Sequence, residues 1–276
     1  MPAQTAVPHR LRTAVLTKIT SGARSTQVVK RLMQAVSAGS FSHGEKLPAE
    51  SELSALLGVS VLTVREALDE LRSKHIITTT RGREGGSFIT ATPTAVASYN
   101  AGQLLEMSRV ALTDLGVHYE AIATSCARYA CRRATAEEIA IIATGLQHAK
   151  ALPAVQWRRQ MTELQLAIAA LSQSVRLTNE HIRVQADFTP FLALQDSDPK
   201  QLTANHEITA QLLDAIAARD AARSQDLISA SVSGSTKWLL NFQSKLLSAF
   251  PNRQIPADPA ILATFTATLN ATKEQQ

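Results

Sequence analysis

From Gly44 the chain reads Gly44-Glu45-Lys46-Leu47-Pro48-Ala49-Glu50-Ser51-Glu52-Leu53-Ser54-Ala55-Leu56-Leu57-Gly58-Val59-Ser60, and after Val61 and Leu62 it continues Thr63-Val64-Arg65-Glu66-Ala67-Leu68-Asp69-Glu70-Leu71. Leu53, Leu56 and Leu57 recur at helical steps, and Gly58 suits the turn that ends a helix. This predicts a short helix from about Ala49 to Leu56, with Pro48 in a first turn that needs no amide donor. Ser60 then offers its side-chain oxygen to the free amides of a new helix, in which Val64, Ala67, Leu68 and Leu71 form one apolar stripe. Thr63, Arg65 and Glu66 fall off that stripe and are left to face a partner.

Upstream, Val28, Val29, Leu32, Met33 and Val36 repeat at three- and four-residue steps, so a helix is expected from Ser25 to Ala38, ending at Gly39. Downstream, the β-branched run Ile76-Ile77-Thr78-Thr79-Thr80 and the segment Ser87-Phe88-Ile89-Thr90 bracket a basic, glycine-rich tip, Arg81 to Gly86. Three helices and a hairpin make a winged helix-turn-helix over residues 24–90, with the hairpin as the wing. Residues 1–23 read as a basic flexible arm, and residues 91–108 as a linker and connecting helix. Beyond them the pattern is helical, with helices expected near 96–108, 111–133, 136–150, 155–171, 174–188, 202–219 and 221–247. Thr135 with Glu138 has capping-box spacing, and Asp196 to Pro199 reads as a loop. The expected fold class is therefore mainly α: the winged helix-turn-helix, then an all-α helical bundle over residues 109–250. The tail, residues 251–276, has one expected helix over 260–269.

The 276 residues, 45% hydrophobic and 18% charged, suffice for two domains with cores. No apolar run approaches the roughly 18 residues of a membrane span, and the first residues lack the succession of a secretory signal. No membrane partner is expected, and the expected location is cytoplasmic. Cys126 and Cys131 have no CxxC spacing and read as small buried hydrophobes. Charge is divided unevenly: residues 1–90 hold 12 Lys and Arg against 7 Asp and Glu, and residues 91–276 hold 16 of each. The excess in the first third suits a polyanionic partner.

A helix fits the major groove of B-DNA, and a helix-turn-helix inserts the N-terminal end of its second member. Here Ser60 and Thr63 are placed to bond phosphate or base, and Arg65 to reach a guanine edge or a phosphate. Arg81 and Gly82 at the wing tip suit close approach to the minor groove. The competing reading pairs Arg65 with a carboxylate such as Glu66 or Asp69. The stretch Gly44-x-x-Leu47-Pro48-x-Glu50-x-x-Leu53-x-x-x-Leu57-Gly58-Val59-Ser60, with Thr63-Val64-Arg65-Glu66-Ala67-Leu68-x-x-Leu71, resembles the N-terminal signature of GntR-type bacterial transcription regulators. That resemblance implies operator contacts from Ser60, Thr63, Arg65, Arg81 and Gly82. The chain departs from the pattern at Ser51 and Val61, where the family usually has arginine, and at His75, where glycine is common; the basic arm is the expected source of compensating contacts.

The helical half, on Tyr119-Glu120, Ala127-x-x-Ala130-x-Arg132-Arg133-Ala134-Thr135 and Leu212-Leu213-Asp214-Ala215-Ile216, resembles the FCD domain of the FadR-like subgroup. Many such domains hold a divalent metal with one Asp and three His, and the resemblance places those positions at Met161, Gln165, Thr209 and Ser231. None is a strong ligand for such a metal, so neither metal nor cofactor is expected; His206, one turn before Thr209, is counted with the pocket residues and stays open as an atypical ligand. The resemblance implies a pocket at these positions, with a small organic effector held by hydrogen bonds and apolar contacts. If the effector is a carboxylic acid, Arg128 or Arg132 is its expected partner. No catalytic motif occurs.

The expectation is a homodimeric regulator that binds double-stranded operator DNA under effector control, and not an enzyme. Its rivals are a constitutive DNA binder with a purely dimerising helical domain, and a helical ligand-binding module or enzyme that does not bind DNA.

Overall fold

The computed structural model describes Leu16, residues 24–82 and 85–253, and Ile255. The expected basic arm, Leu16 aside, the wing-tip residues Arg83 and Glu84, and the helix expected over 260–269 lie outside the described residues. The chain divides between Ala97 and Ser98 into two compact units.

In the first unit, α1 (Arg24–Ser37), α2 (Glu50–Leu57) and α3 (Val61–Ser73) precede a hairpin of β1 (Ile77–Thr80) and β2 (Gly86–Ile89). Leu32 and Met33 of α1, Leu53 and Leu57 of α2, and Leu68 and Leu71 of α3 are buried together with Val64 and Ala67. Burying one such leucine contributes about 1.5–3 kcal/mol. α2 starts one residue later than its sequence suggests: Ala49 stands at the N-cap position without a side-chain bond to the helix, and Pro48 precedes it. The strands pair antiparallel, Ile77 opposite Ile89 and Thr80 opposite Gly86. Ile77 and Ile89, paired at the end of the hairpin away from its tip, are the buried residues of the two strands.

The second edge of β2 is covered by the segment before α2. The Gly44 amide donates to the Ile89 carbonyl (2.7 Å), the Ile89 amide to Glu45 (2.9 Å), and the Leu47 amide to Ser87 (2.8 Å). This pairing satisfies groups that a bare edge strand would expose. It uses backbone atoms alone, so side-chain periodicity carries no trace of it.

The second unit is helical: α4 (Pro93–Glu106), within which the division falls, α5 (Arg109–Arg133), α6 (Ala136–Ala149), α7 (Ala154–Ala170), α8 (Val175–Leu192), α9 (Pro199–Ala217) and α10 (Ala221–Ala249). α5 and α10 lie antiparallel. Arg109 Nη1 donates to the Leu240 carbonyl (3.1 Å) at one end, and Cys131 Sγ lies 3.4 Å from Ser224 Oγ at the other. Gly116 permits their close approach, because a Cβ there would lie 2.5 Å from Thr236 Oγ1. Gln243 closes α4 by donating to the carbonyls of Leu104 (2.7 Å) and Met107 (2.8 Å), groups the helix end leaves without intrahelical partners. The Thr135–Glu138 capping box starts α6.

α4 spans Pro93–Glu106 rather than 96–108, and two further elements differ from the sequence reading. α8 runs to Leu192 through Pro190 rather than ending near 188. Phe188, Phe191 and Leu192 are all buried, and their packing outweighs the amide bond that proline removes. Asp196–Pro199 is not an open loop: a 3₁₀ turn covers Ala193–Ser197, and α9 begins at Pro199 with Asp198 as its cap. An Asp cap followed by Pro at the first helical position is a helix start. Among the described residues no helix is long and apolar enough to cross a membrane.

Candidate functional sites: a DNA-reading edge and a cavity

Gly58, at φ 67°, ends α2; Val59 is buried, and Ser60 caps α3 by accepting the Thr63 amide (3.1 Å). The Ser60 and Thr63 hydroxyls are 2.8 Å apart and exposed. With Val64, Ala67, Leu68 and Leu71 turned inward, the leading turn of α3 presents Ser60, Leu62, Thr63 and Arg65 outward. Leu62 is 65% exposed. Sequence reasoning missed it, although its position off the apolar stripe was the available signal. It suits contact with a thymine methyl.

Arg65 does pair with a carboxylate, but with Glu50 of α2, not Glu66 or Asp69: Nε donates to Oε2 at 2.6 Å. Asp69 pairs instead with Arg72. The Arg65–Glu50 pair is well exposed on both sides, so it adds little stability; its consequence is orientation. Because the bond engages Nε, the terminal nitrogens remain as the fork that a guanine edge or phosphate accepts.

At the other end of this unit, Arg81 and Gly82 follow β1 and are exposed. Gly82 has φ 116°, a conformation that needs glycine although a Cβ would meet nothing within 4 Å. Arg72, His75 and Arg81 line an open groove beside β1 with Thr78 and Thr79. His75 takes φ 56° after α3, where its departure from the usual glycine is tolerated better than a β-branched residue.

In the helical unit, Gln165, Thr209 and Ser231 line one cavity of about 60 Å³, walled by Ile168, Leu212, Ile228 and Val232. That is several times the ~10–15 Å³ one water needs. A second, smaller cavity of about 30 Å³ shares Tyr119, Gln165, Ser231 and Val232 with the first, and adds Met161, Trp157 and Arg158. Thr209 donates its hydroxyl to the Asn205 carbonyl (2.7 Å), and Gln165 Oε1 accepts from Gln185 Nε2 (3.0 Å).

The cavity also holds residues that sequence reasoning missed: Tyr119, Cys126 and His181 in the first part, Arg158 in the second. Tyr119 and Cys126, seven apart on α5, and His181, Val184 and Phe188 on α8 recur at helical spacing, which was the available signal. Tyr119 packs on His181 at 5.4 Å and on Phe188 at 5.3 Å between ring centres. His181 is buried, and among the described residues neither ring nitrogen has a hydrogen-bond partner. Burial pushes its pKa down to about 4, so the ring is neutral at pH 7. Burial also pushes the Cys126 thiol up to about 11 and raises the Tyr119 phenol. Arg158 donates to both carboxylate oxygens of Asp196, through Nε (2.8 Å) and Nη2, and Nη2 also donates to the Leu192 carbonyl (3.1 Å). Burial raises the Asp196 carboxyl against the opposing pull of Arg158; the two-oxygen geometry is that of an ionised pair.

Three expected pocket residues lie elsewhere. Arg128 is exposed, its guanidinium 4.9 Å from the Tyr129 ring, and Arg132 is exposed too. Both occupy the outer face of α5, whose inner face carries Ala123, Cys126, Ala127 and Ala130; the helix phase places a cation at the cavity from α7 instead. His206 is buried but lines neither cavity, and burial and Lys150 lower its pKa. The four positions where related domains hold a metal offer a thioether, an amide and two hydroxyls. That set does not fit a divalent cation, and among the described residues no group of three or more His, Cys, Asp or Glu is placed to hold one.

Residues 24–88 match the family described as bacterial regulatory proteins, gntR family, and residues 114–233 match the FCD domain. The chain is 31% identical over 230 residues to the HTH-type transcriptional regulator RmpR of Mycobacterium gastri, covering 80% of this chain and 82% of that protein. It is 32% identical over 129 residues to the HTH-type transcriptional repressor NanR of Salmonella newport (strain SL254), covering 45% of this chain and 48% of that protein. Among solved structures, E. coli McbR/YncC aligns with TM-score 0.49 and 18% identity over 81% of this chain and 99% of that one.

Proposed function

The chain belongs to the gntR family of bacterial regulatory proteins and carries an FCD domain; from that premise we propose how this DNA-binding transcription regulator reads its operator and is switched. The leading turn of α3 enters the major groove, where Ser60 and Thr63 bond phosphate or base, Arg65 donates from its terminal nitrogens, and Leu62 meets a thymine methyl. Arg81 and Gly82 approach the minor groove. Two copies form a homodimer that reads a pseudo-palindromic site, since two-fold protein symmetry requires two half-sites. The protein works in the cytoplasm, where its operator is.

The effector binds in the cavity lined by Gln165, Thr209 and Ser231 and shifts the balance between conformations of higher and lower operator affinity. The observation that carries this reading is the pairing, in one chain, of a capped helix with an exposed polar leading turn and a helical unit with a cavity. Coupling between the two ligands is reciprocal: whatever factor the effector applies to DNA affinity, DNA applies to effector affinity.

Selection of duplexes from a random pool by the full chain tests the reading. Enriched sequences are expected to contain two related half-sites, and their affinity to fall steeply as salt rises. Enrichment of no duplex over random competitor refutes operator binding.

A further inference from the structure

We propose that the cavity between α5, α7, α8, α9 and α10 accepts an uncharged ligand bearing both a hydrogen-bond donor and an acceptor on a compact apolar body, as a carboxamide, lactam or alcohol does. The inference rests on the reading of this cavity as the effector site and names the class of molecule that the site selects.

The first support is His181. It is 3% exposed, lines the cavity, and has no hydrogen-bond partner at either ring nitrogen among the described residues. A neutral imidazole donates from one nitrogen and accepts at the other. A ligand group that both donates and accepts can therefore satisfy His181 in either tautomer, whereas a carboxylate only accepts.

The second support is charge. Arg158 is the charged side chain among the residues lining the two cavities, and both oxygens of Asp196 already hold it. A carboxylate beside Arg158 lies next to a second anion; a carboxylate beside His181 faces an uncharged ring and the hydroxyls of Thr209 and Ser231. The first shares one cation between two buried anions, and the second is offset only by protonating a ring that burial keeps neutral, so each is disfavoured against an uncharged group of the same shape. The remaining wall, Ile168, Leu212, Ile228 and Val232, favours an apolar body.

Probes of matched shape and different charge test this: benzamide against benzoate and butyramide against butyrate, titrated into the full chain near neutral pH, with Tm and calorimetric Kd as readouts. Each amide is expected to raise Tm and to bind at least about tenfold more tightly than its carboxylate. His181→Phe, which keeps a ring and removes both nitrogens, is expected to erase that preference. Ala123→Leu, which fills the cavity, is expected to abolish the shift and serves if the first variant does not fold. Carboxylates that bind as tightly as the amides overturn the ligand class while leaving the cavity as the effector site. No shift with any probe overturns both readings, and a shift that survives both substitutions overturns the assignment to this cavity.

Discussion

Arg65 is tethered to Glu50 through Nε (2.6 Å), and this determines what its loss does. Arg65→Ala removes an exposed ion pair, so stability changes by less than about 1 kcal/mol. Operator affinity is expected to drop by about 1–3 kcal/mol, measured by titration against a selected duplex. Leu62, 65% exposed, makes a separate prediction. Leu62→Ala and replacement of operator thymine by deoxyuridine each remove one side of the same apolar contact. Each is expected to cost about 1 kcal/mol of affinity, and the two combined little more than either alone, because paired changes at one contact are not additive. Full additivity in that double cycle removes Leu62 from base reading.

At the scale of the element, α3 uses Ser60 twice, as its cap and as part of its exposed edge. Ser60→Asp separates the roles: aspartate caps as well as serine, so Tm holds, while its carboxylate faces the phosphates and operator affinity falls. If affinity survives, the leading turn of α3 does not lie against the duplex. The 3₁₀ turn Ala193–Ser197 is held to α7 by the ion pair of Arg158, which is buried, with Asp196, whose side chain is 12% exposed. Asp196→Ala strands the guanidinium and is expected to cost about 3–5 kcal/mol in urea unfolding.

For the whole molecule, the buried titratable groups of the helical unit set a window of maximal stability. The His181 pKa is lowered from 6.5 to about 4 by folding, so below pH 6.5 the unfolded chain takes up a proton that the native state refuses. Stability from this group is complete above pH 6.5 and declines down to pH 4, by about 3 kcal/mol in all. His181→Phe is expected to flatten that acid limb in unfolding measured at pH 7 and pH 5; an unchanged limb assigns it to other groups. On the alkaline side, Cys126, raised to about 11, and the raised Tyr119 phenol make ionisation favour the unfolded chain.

Much of this protein was readable before any coordinates. The stripe Val64, Ala67, Leu68 and Leu71, the cap at Ser60 and the capping box at Thr135 are local, written in spacings of three and four residues that helix geometry imposes. The leading turn of α3 was legible for the same reason, since a residue off the buried stripe must face outward. Helix phase also underlies what was misjudged: Arg128 and Arg132 share α5 with cavity residues but point the other way. Only packing decided that α8 continues through Pro190, that residues 44–47 cover β2, and that Glu50 holds Arg65 across fifteen positions. Only packing put Arg158 and an unpartnered His181 beside Gln165 and Ser231. Those relations join residues on different elements, and their energies come from burial and pairing that exist once the chain has closed on itself.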